Sequence, residues 1–426
     1  MTMVQKLLSP IPLPRIVKIQ QRFITSEIMD ISAELRKEMA KPGVGERIKP
    51  GMSIALTVGS RGTAELPLVT RTIVEEIKQR GGLPFVVPSM GSHGGATAEG
   101  QQTVLANLGV TEETAGCPIR SSMEVVEVGR LDDGLAVLID KYAYEADGIV
   151  VMNRVKPHPS FDGPCESGLA KMLSIGLGKQ KGADSCHEYG YQCLAEHVLR
   201  MAEMKIARSN VLFGIGTIEN AYDKIARIVM MPSEELIETE KKMLIEAKGS
   251  MPRIFFDQMD VLVVSRIGKD ISGGGMDPNI TGRYYSSYKS GGPSVNKLVV
   301  LDLTEGTHGN ANGMGAADFT TRKLFNKIDY DAIYTNALTA TLTAQVRIPM
   351  ILETDKEAIK SAIKTCNSRD MSRARVVIIK DTLHLSELYI SESMIDEAQK
   401  NPDITIIGEP TAMQFDAYDN IKINAF

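Results

Sequence analysis

The chain has 426 residues, 43% of them hydrophobic and 24% charged, with 37 glycines, 19 prolines and a net charge of −5. Set against roughly 150 residues per domain, that length argues for two to three domains, and the composition excludes a disordered or collagen-like chain. No block of basic residues is present to neutralise a phosphate backbone, so nucleic acid is not an expected partner.

Pro10, Pro12 and Pro14 interrupt the N-terminal stretch before any continuous apolar run develops. Elsewhere no apolar run approaches the roughly 20 residues of a bilayer span, so neither a signal peptide nor a membrane segment is expected, and a cytoplasmic location is. Short β-rich runs then alternate with helical patterns. A strand is expected at 52–58, a helix over 64–80, a strand at 83–87, a helix announced by Thr97, and a buried strand over 148–155. Amphipathic helices follow over 194–207 and 233–247. The polar break Lys248-Gly249-Ser250-Met251-Pro252 marks the approach to a domain boundary. A second series of strands is read at 259–265, 298–303, 332–335, 374–379 and 404–407, interrupted by glycine-rich loops at 272–275, 290–293 and 306–315. The fold class expected is α/β: two α/β domains with mainly parallel sheets and the active site in the interdomain cleft.

Five cysteines, an odd number without a CxxC pair, read as free thiols rather than a disulfide framework or a cysteine-rich zinc site. Histidine is scarce, six in all. His93 sits in Gly91-Ser92-His93-Gly94-Gly95 beyond a strand, and His158 sits in Lys156-Pro157-His158-Pro159 beyond another, where the two prolines stiffen its presentation. A turn histidine facing water is the ordinary reading of each alone. Their matching strand-to-loop positions weigh against it. The following segment, residues 160–187, is dense in Gly, Lys and hydroxyl groups, yet Gly178-Lys179-Gln180 lacks the Ser or Thr of a P-loop and Gly214-Ile215-Gly216 lacks the third glycine of a dinucleotide fingerprint. Lys171 lies in the apolar run Leu169-Ala170-Lys171-Met172-Leu173, where desolvation favours the neutral, nucleophilic amine.

The succession His93, His158, Lys171, His187 resembles the nickel-pincer lactate racemase family. Gly91-Ser92-His93-Gly94 is similar to that family's first histidine turn, Pro157-His158 to its second, Ser167-Gly168-Leu169-Ala170-Lys171 to its cofactor-lysine segment, and His187, sixteen residues on, to its metal ligand. Arg61, in Gly59-Ser60-Arg61-Gly62, resembles the substrate-carboxylate arginine. The resemblance implies a nickel-pincer nucleotide joined covalently to Lys171, ligated through nickel by His187 and lined by Ser60, Gly62, Ser167 and Gly168, with His93 and His158 as proton-transfer groups. It also implies a need for cofactor-synthesis proteins, and domains of 1–257, with the segment from about 405 to 426 folding back onto them, and 258–404. Departures are visible. Where a Gln and a Lys often follow the family's D-x-N turn, here after Asp277-Pro278-Asn279 stand Gly282 and Arg283. The reading that follows is a racemase or epimerase of a 2-hydroxy acid larger or more polar than lactate, with Arg283 beside Arg61 at the substrate.

That chemistry calls for these residue types. The Cα hydrogen of a 2-hydroxy acid is too weakly acidic for simple deprotonation, so hydride removal and return to the opposite face inverts the centre through a planar keto acid. Two imidazoles on opposite sides suit the hydroxyl proton of each enantiomer. Nickel bound by one carbon and two sulfurs of the cofactor leaves one position for a neutral imidazole. Two other classes remain open: a zinc hydrolase in which His93, His158 and His187 converge on one ion, with Glu99 or Asp162 as base, and a non-catalytic metabolite-binding protein.

Overall fold

A sheet covered by helices on both faces needs strands that are apolar on both faces, and Ser53–Val58, Leu83–Pro88 and Gly148–Arg154 meet that condition. In the computed structural model, which describes residues 2–61 and 63–423, they belong to a five-stranded sheet. Its order is Leu83–Pro88, Ser53–Val58, Gly148–Arg154 and Val211–Glu219, all parallel, with Ile225–Pro232 antiparallel at the end. Successive side chains go to opposite faces: Ile54, Leu56 and Val58 join one core cluster, while Ala55 joins the other with Ile149 and Val151. The helices Leu66–Gln79 and Ile31–Met39 cover the first face. The helices Tyr191–Arg208 and Leu236–Ser250 cover the second. As expected, Thr97 caps a helix, Ala98–Asn107, its hydroxyl accepting the Gly100 N–H at 3.0 Å.

The chain divides into two units, Thr25–Met251 and a second made of the residues from Pro252 onward together with those up to Ile24. The second unit holds an eight-stranded mixed sheet. Its parallel part is Met350–Leu352, Phe319–Thr321, Ser294–Val300, Gln258–Val264 and Val376–Ile379, with Glu387–Ser391, Arg15–Gln21 and Ile404–Ala412 added antiparallel. Both sheets sit in α/β surroundings, as expected of the fold class.

The partition differs from the expected one at both ends of the chain. The strand Ile404–Ala412 does not return to the unit 25–251; it pairs with Arg15–Gln21, and that strand itself belongs to the unit from Pro252 onward. Backbone hydrogen bonding decides this, because Arg15–Gln21 lies between two antiparallel neighbours whose register leaves Val17 and Ile19 buried. Residues 332–335, read as a strand, form part of the helix Tyr330–Thr339. Asp329 caps that helix on the Ala332 N–H, and its buried residues, Ile333 and Ala337, stand at i, i+4. Cys117, Cys165, Cys186, Cys193 and Cys366 are free thiols. Among the described residues no helix is long and apolar enough to cross a membrane.

Candidate active site

In the five-stranded sheet the first strand in chain order, Ser53–Val58, lies between the second, Leu83–Pro88, and the third, Gly148–Arg154. The winding therefore reverses between Ser53–Val58 and Gly148–Arg154, and sheets of this kind bind ligands in the crevice outside the carboxyl ends of the two strands at such a point. Those ends lead into Gly59-Ser60-Arg61 and into Val155-Lys156-Pro157-His158.

The lysine segment is folded onto the same place. Lys156 and Ser167 exchange backbone hydrogen bonds of 2.8 and 3.1 Å, and Asn153 Nδ2 donates to the Gly168 carbonyl at 2.8 Å. Gly59 is close-packed here, since a Cβ on it would lie 3.1 Å from Met172 Cε. Gly168 has its own reason to be glycine: a Cβ there would stand 2.2 Å from Glu240 Oε1. Glu240, fully buried, accepts the Ala170 N–H at 2.7 Å, and burial raises its carboxyl to about 7. It thus holds the first turn of the short helix Leu169–Lys171.

Lys171 is half-buried. Desolvation, then the charges of Arg61 and Lys156, bring its ammonium down to about 7. A large share of the amine is therefore neutral near neutral pH, the state a nucleophile needs. Arg61 is exposed to solvent yet crowded by protein, and its charge is disfavoured first by desolvation and then by Arg154. The loop is tethered just beyond, where the Ala64 N–H donates to Glu219 at 2.7 Å and Glu219 also pairs with Arg154. Ser60 Oγ contacts His93 Nδ1, so Ser60 meets the first histidine. Gly62 lies outside the described residues.

His187, at the end of the helix Lys179–His187, donates Nδ1–H to the Ala183 carbonyl at 2.7 Å, one helical turn back. Its other nitrogen, Nε2, then keeps its lone pair, the arrangement that orients a metal-ligating histidine. Burial lowers the His187 pKa; the Ala183 bond opposes that shift, and the Lys171 charge adds to it. The ring of His187 stands 6.2 Å from that of Tyr191. His158 is buried and stacks on Phe161 at 4.3 Å, and its Nδ1 accepts the Ser160 N–H at 3.1 Å. The neutral ring therefore carries its proton on Nε2, and a bare Nε2 requires that the Ser160 bond be released. Glu166, wholly buried, accepts the His158 backbone N–H at 2.7 Å and pairs with Lys248 at 2.6 Å, which fixes the Pro157-His158-Pro159 turn.

At the expected substrate end, Arg283 and Gly282 are both engaged in the protein's own packing. In the unit from Pro252 onward, Arg283 donates to the Val295 and Asn296 carbonyls at 3.3 and 3.1 Å and pairs with Asp318 at 3.1 Å, so both ends of its fork are engaged. Gly282 is fixed by the backbone. Its φ of +66° and the Pro293 carbonyl, 1.8 Å from where a Cβ would be, require glycine for the backbone itself. A converging zinc site is not formed either: among the described residues, no three of His, Cys, Asp and Glu are grouped closely enough to hold an ion.

Besides Glu240, three supporting residues were not singled out from sequence. Lys156 adds its charge to that of Arg61 beside the Lys171 amine. Lys205, fully buried, donates to the Leu173 and Ser174 carbonyls at 2.6 and 3.0 Å, within the π-helical turn Met172–Gly176 that follows Lys171. A π turn shifts the helical hydrogen bonds, and Lys205 supplies donors to two of its carbonyls. Gln101 is the third, a buried amide that donates to the Gly91 carbonyl at 2.8 Å.

Burial brings Lys205 down to about 7 from an ordinary 10.5. The folded state then binds fewer protons than the unfolded one between those limits, so this group makes the protein more stable as pH rises through the window, by on the order of 1 kcal/mol per pH unit. Urea unfolding at pH 7 and pH 9 should show a steeper gain in wild type than in Lys205→Met. Equal gains in the two would contradict a desolvated Lys205.

Residues 13–192 match the family described as the lactate racemase N-terminal domain. Among solved structures, the chain is similar to the lactate racemase apoprotein from Thermoanaerobacterium thermosaccharolyticum, at 14% identity and a TM-score of 0.50, over 86% of this chain and 94% of that one. At that identity the likeness is one of fold. No curated protein matches the chain.

Proposed function

We propose that this chain, which belongs to the lactate racemase family through its residues 13–192, is a racemase or epimerase of a 2-hydroxy acid. The observation that carries the reading is the pairing, at the switch point of the sheet, of a half-buried Lys171 amine brought down to about 7 with a His187 whose Nδ1 is engaged by Ala183. One residue is suited to a covalent attachment and the other to a single metal bond, which is the donor set a nickel-pincer nucleotide requires. A converging three-ligand zinc site would need a different arrangement.

When bound, that cofactor supplies reversible hydride acceptance from Cα. The protein's own part is to bind, orient and move protons. Arg61 offers a guanidinium fork to the substrate carboxylate. His93, held at Nδ1 by Ser60, and His158, stacked on Phe161, serve the hydroxyl proton of the two enantiomers. The cations Arg61 and Lys156 give the crevice a positive field suited to an anionic substrate.

The test uses enzyme loaded with cofactor and Cα-deuterated lactate beside an aldonic, an aromatic and a dicarboxylic 2-hydroxy acid. Inversion of at least one acid with the deuterium kept at Cα is expected. Loss of the label to solvent at the rate of inversion would mean proton abstraction and overturn hydride return. Inversion of the larger acids and not of lactate would support the larger or more polar substrate.

A further inference from the structure

Lys179 and Asp140 form an ion pair at 3.2 Å with no exposure on either side chain. Taking two charges out of water costs several kcal/mol per ion, only partly returned by their attraction. Such a pair, if it merely stabilised, would be poorly chosen. What distinguishes it is where the remaining bonds of the lysine go. Nζ also donates to the Pro88 carbonyl, at the end of the strand that leads to His93, and to Gln101 Oε1 at 3.0 Å. Gln101, itself fully buried, donates from Nε2 to the carbonyls of Gly91 at 2.8 Å and of His93 at 3.3 Å.

An ammonium can only donate, so it settles which way round the Gln101 amide stands: oxygen toward Lys179, nitrogen toward the histidine turn. The turn is also pressed against the start of that glutamine's helix, since a Cβ on Gly94 would lie 2.7 Å from the Gln101 nitrogen and one on Gly100 would lie 1.8 Å from the Gly94 carbonyl. Lys179 holds a left-handed φ of 54°, a conformation a lysine keeps only where its surroundings impose it. It also begins the helix that ends in His187. We propose that Asp140, Lys179 and Gln101 are positioning residues for His93: the ammonium orients the amide, and the amide clamps the carbonyls on both sides of Ser92, so that the imidazole is presented in one orientation. The role rests on reading His93 as a proton-transfer group.

The histidine-¹⁵N spectrum of the substrate-free protein tests it without turnover. In wild type, the His93 Nδ1 resonance carries the shift of a nitrogen held in a hydrogen bond to Ser60. In Gln101→Met, and separately in Asp140→Asn with Lys179→Met, which removes the pair without leaving a lone charge, the His93 Nδ1 resonance moves to that of a ring that no longer holds the Ser60 bond. With loaded enzyme, turnover falls about 10–100-fold, the cost of a misplaced group, at little change in KM. A wild-type His93 pattern in either folded variant overturns the proposal, because a merely structural trio would change the melting temperature and leave the ring alone. Should the loaded enzyme invert no 2-hydroxy acid, the functional reading fails while the spectra still decide the positioning role.

Discussion

Lys171→Ala, co-produced with the cofactor-synthesis proteins, is expected to show only the bare polypeptide mass, whereas wild type carries a covalent adduct. Attachment needs an uncharged amine in reach of the crevice, and Lys171 meets both conditions. Lys179 and Lys205 have no exposed surface and are tied to carbonyls. Lys171 is half-buried, with an ammonium lowered to about 7. Lys171→Arg should fail equally, since a guanidinium keeps its charge. His187→Ala separates the two functions of the segment. The adduct should persist while nickel is lost, by at least the 10–100-fold that even an outer-shell partner of a metal ligand is worth. Intact mass and metal content read the two independently. An adduct on Lys171→Ala, or full nickel on His187→Ala, would refute the corresponding assignment.

His93→Ala and His158→Ala are each expected to lower turnover by about 10²–10⁴, the usual worth of a positioned acid or base, with adduct and nickel retained. The two rings do not begin alike. His93 meets a hydroxyl, that of Ser60, which can donate or accept, so either tautomer is accommodated. His158 meets a backbone N–H, which can only donate, so its proton stays on Nε2 until the Ser160 bond opens. The advantage His158 confers is therefore net of whatever motion frees that ring, which lessens the loss on its removal. Rates measured from each enantiomer decide the matter, and turnover within tenfold of wild type in either variant removes that histidine from proton transfer.

Much of this was legible in the sequence for physical reasons. Strands of a doubly covered sheet are nearly continuous apolar runs, so 148–155 and 83–87 stood out, and the loops beyond them carried His93 and His158. Residues 332–335 misled because a four-residue apolar run has no period of its own; the cap at Asp329 decided for helix. Arg15–Gln21 could not be placed because both its partners are distant in the chain. Glu240, Gln101 and Lys205 were invisible for a related reason. On helices they read as ordinary polar positions, and only tertiary packing turns them inward, onto Ala170, the His93 turn and the π turn. The His187 bond to Ala183 is different: a spacing of four on a helix could have been read directly.

The strand Arg15–Gln21, held between Glu387–Ser391 and Ile404–Ala412, imposes an order on synthesis. It leaves the ribosome long before either neighbour exists, and until they are made its backbone donors and acceptors face water or stray partners. The contiguous stretch Thr25–Met251 waits for nothing downstream and can fold as it emerges. The site gathered at its switch point can therefore be assembled on the nascent chain, while the eight-stranded sheet closes only after Ile404–Ala412 has arrived.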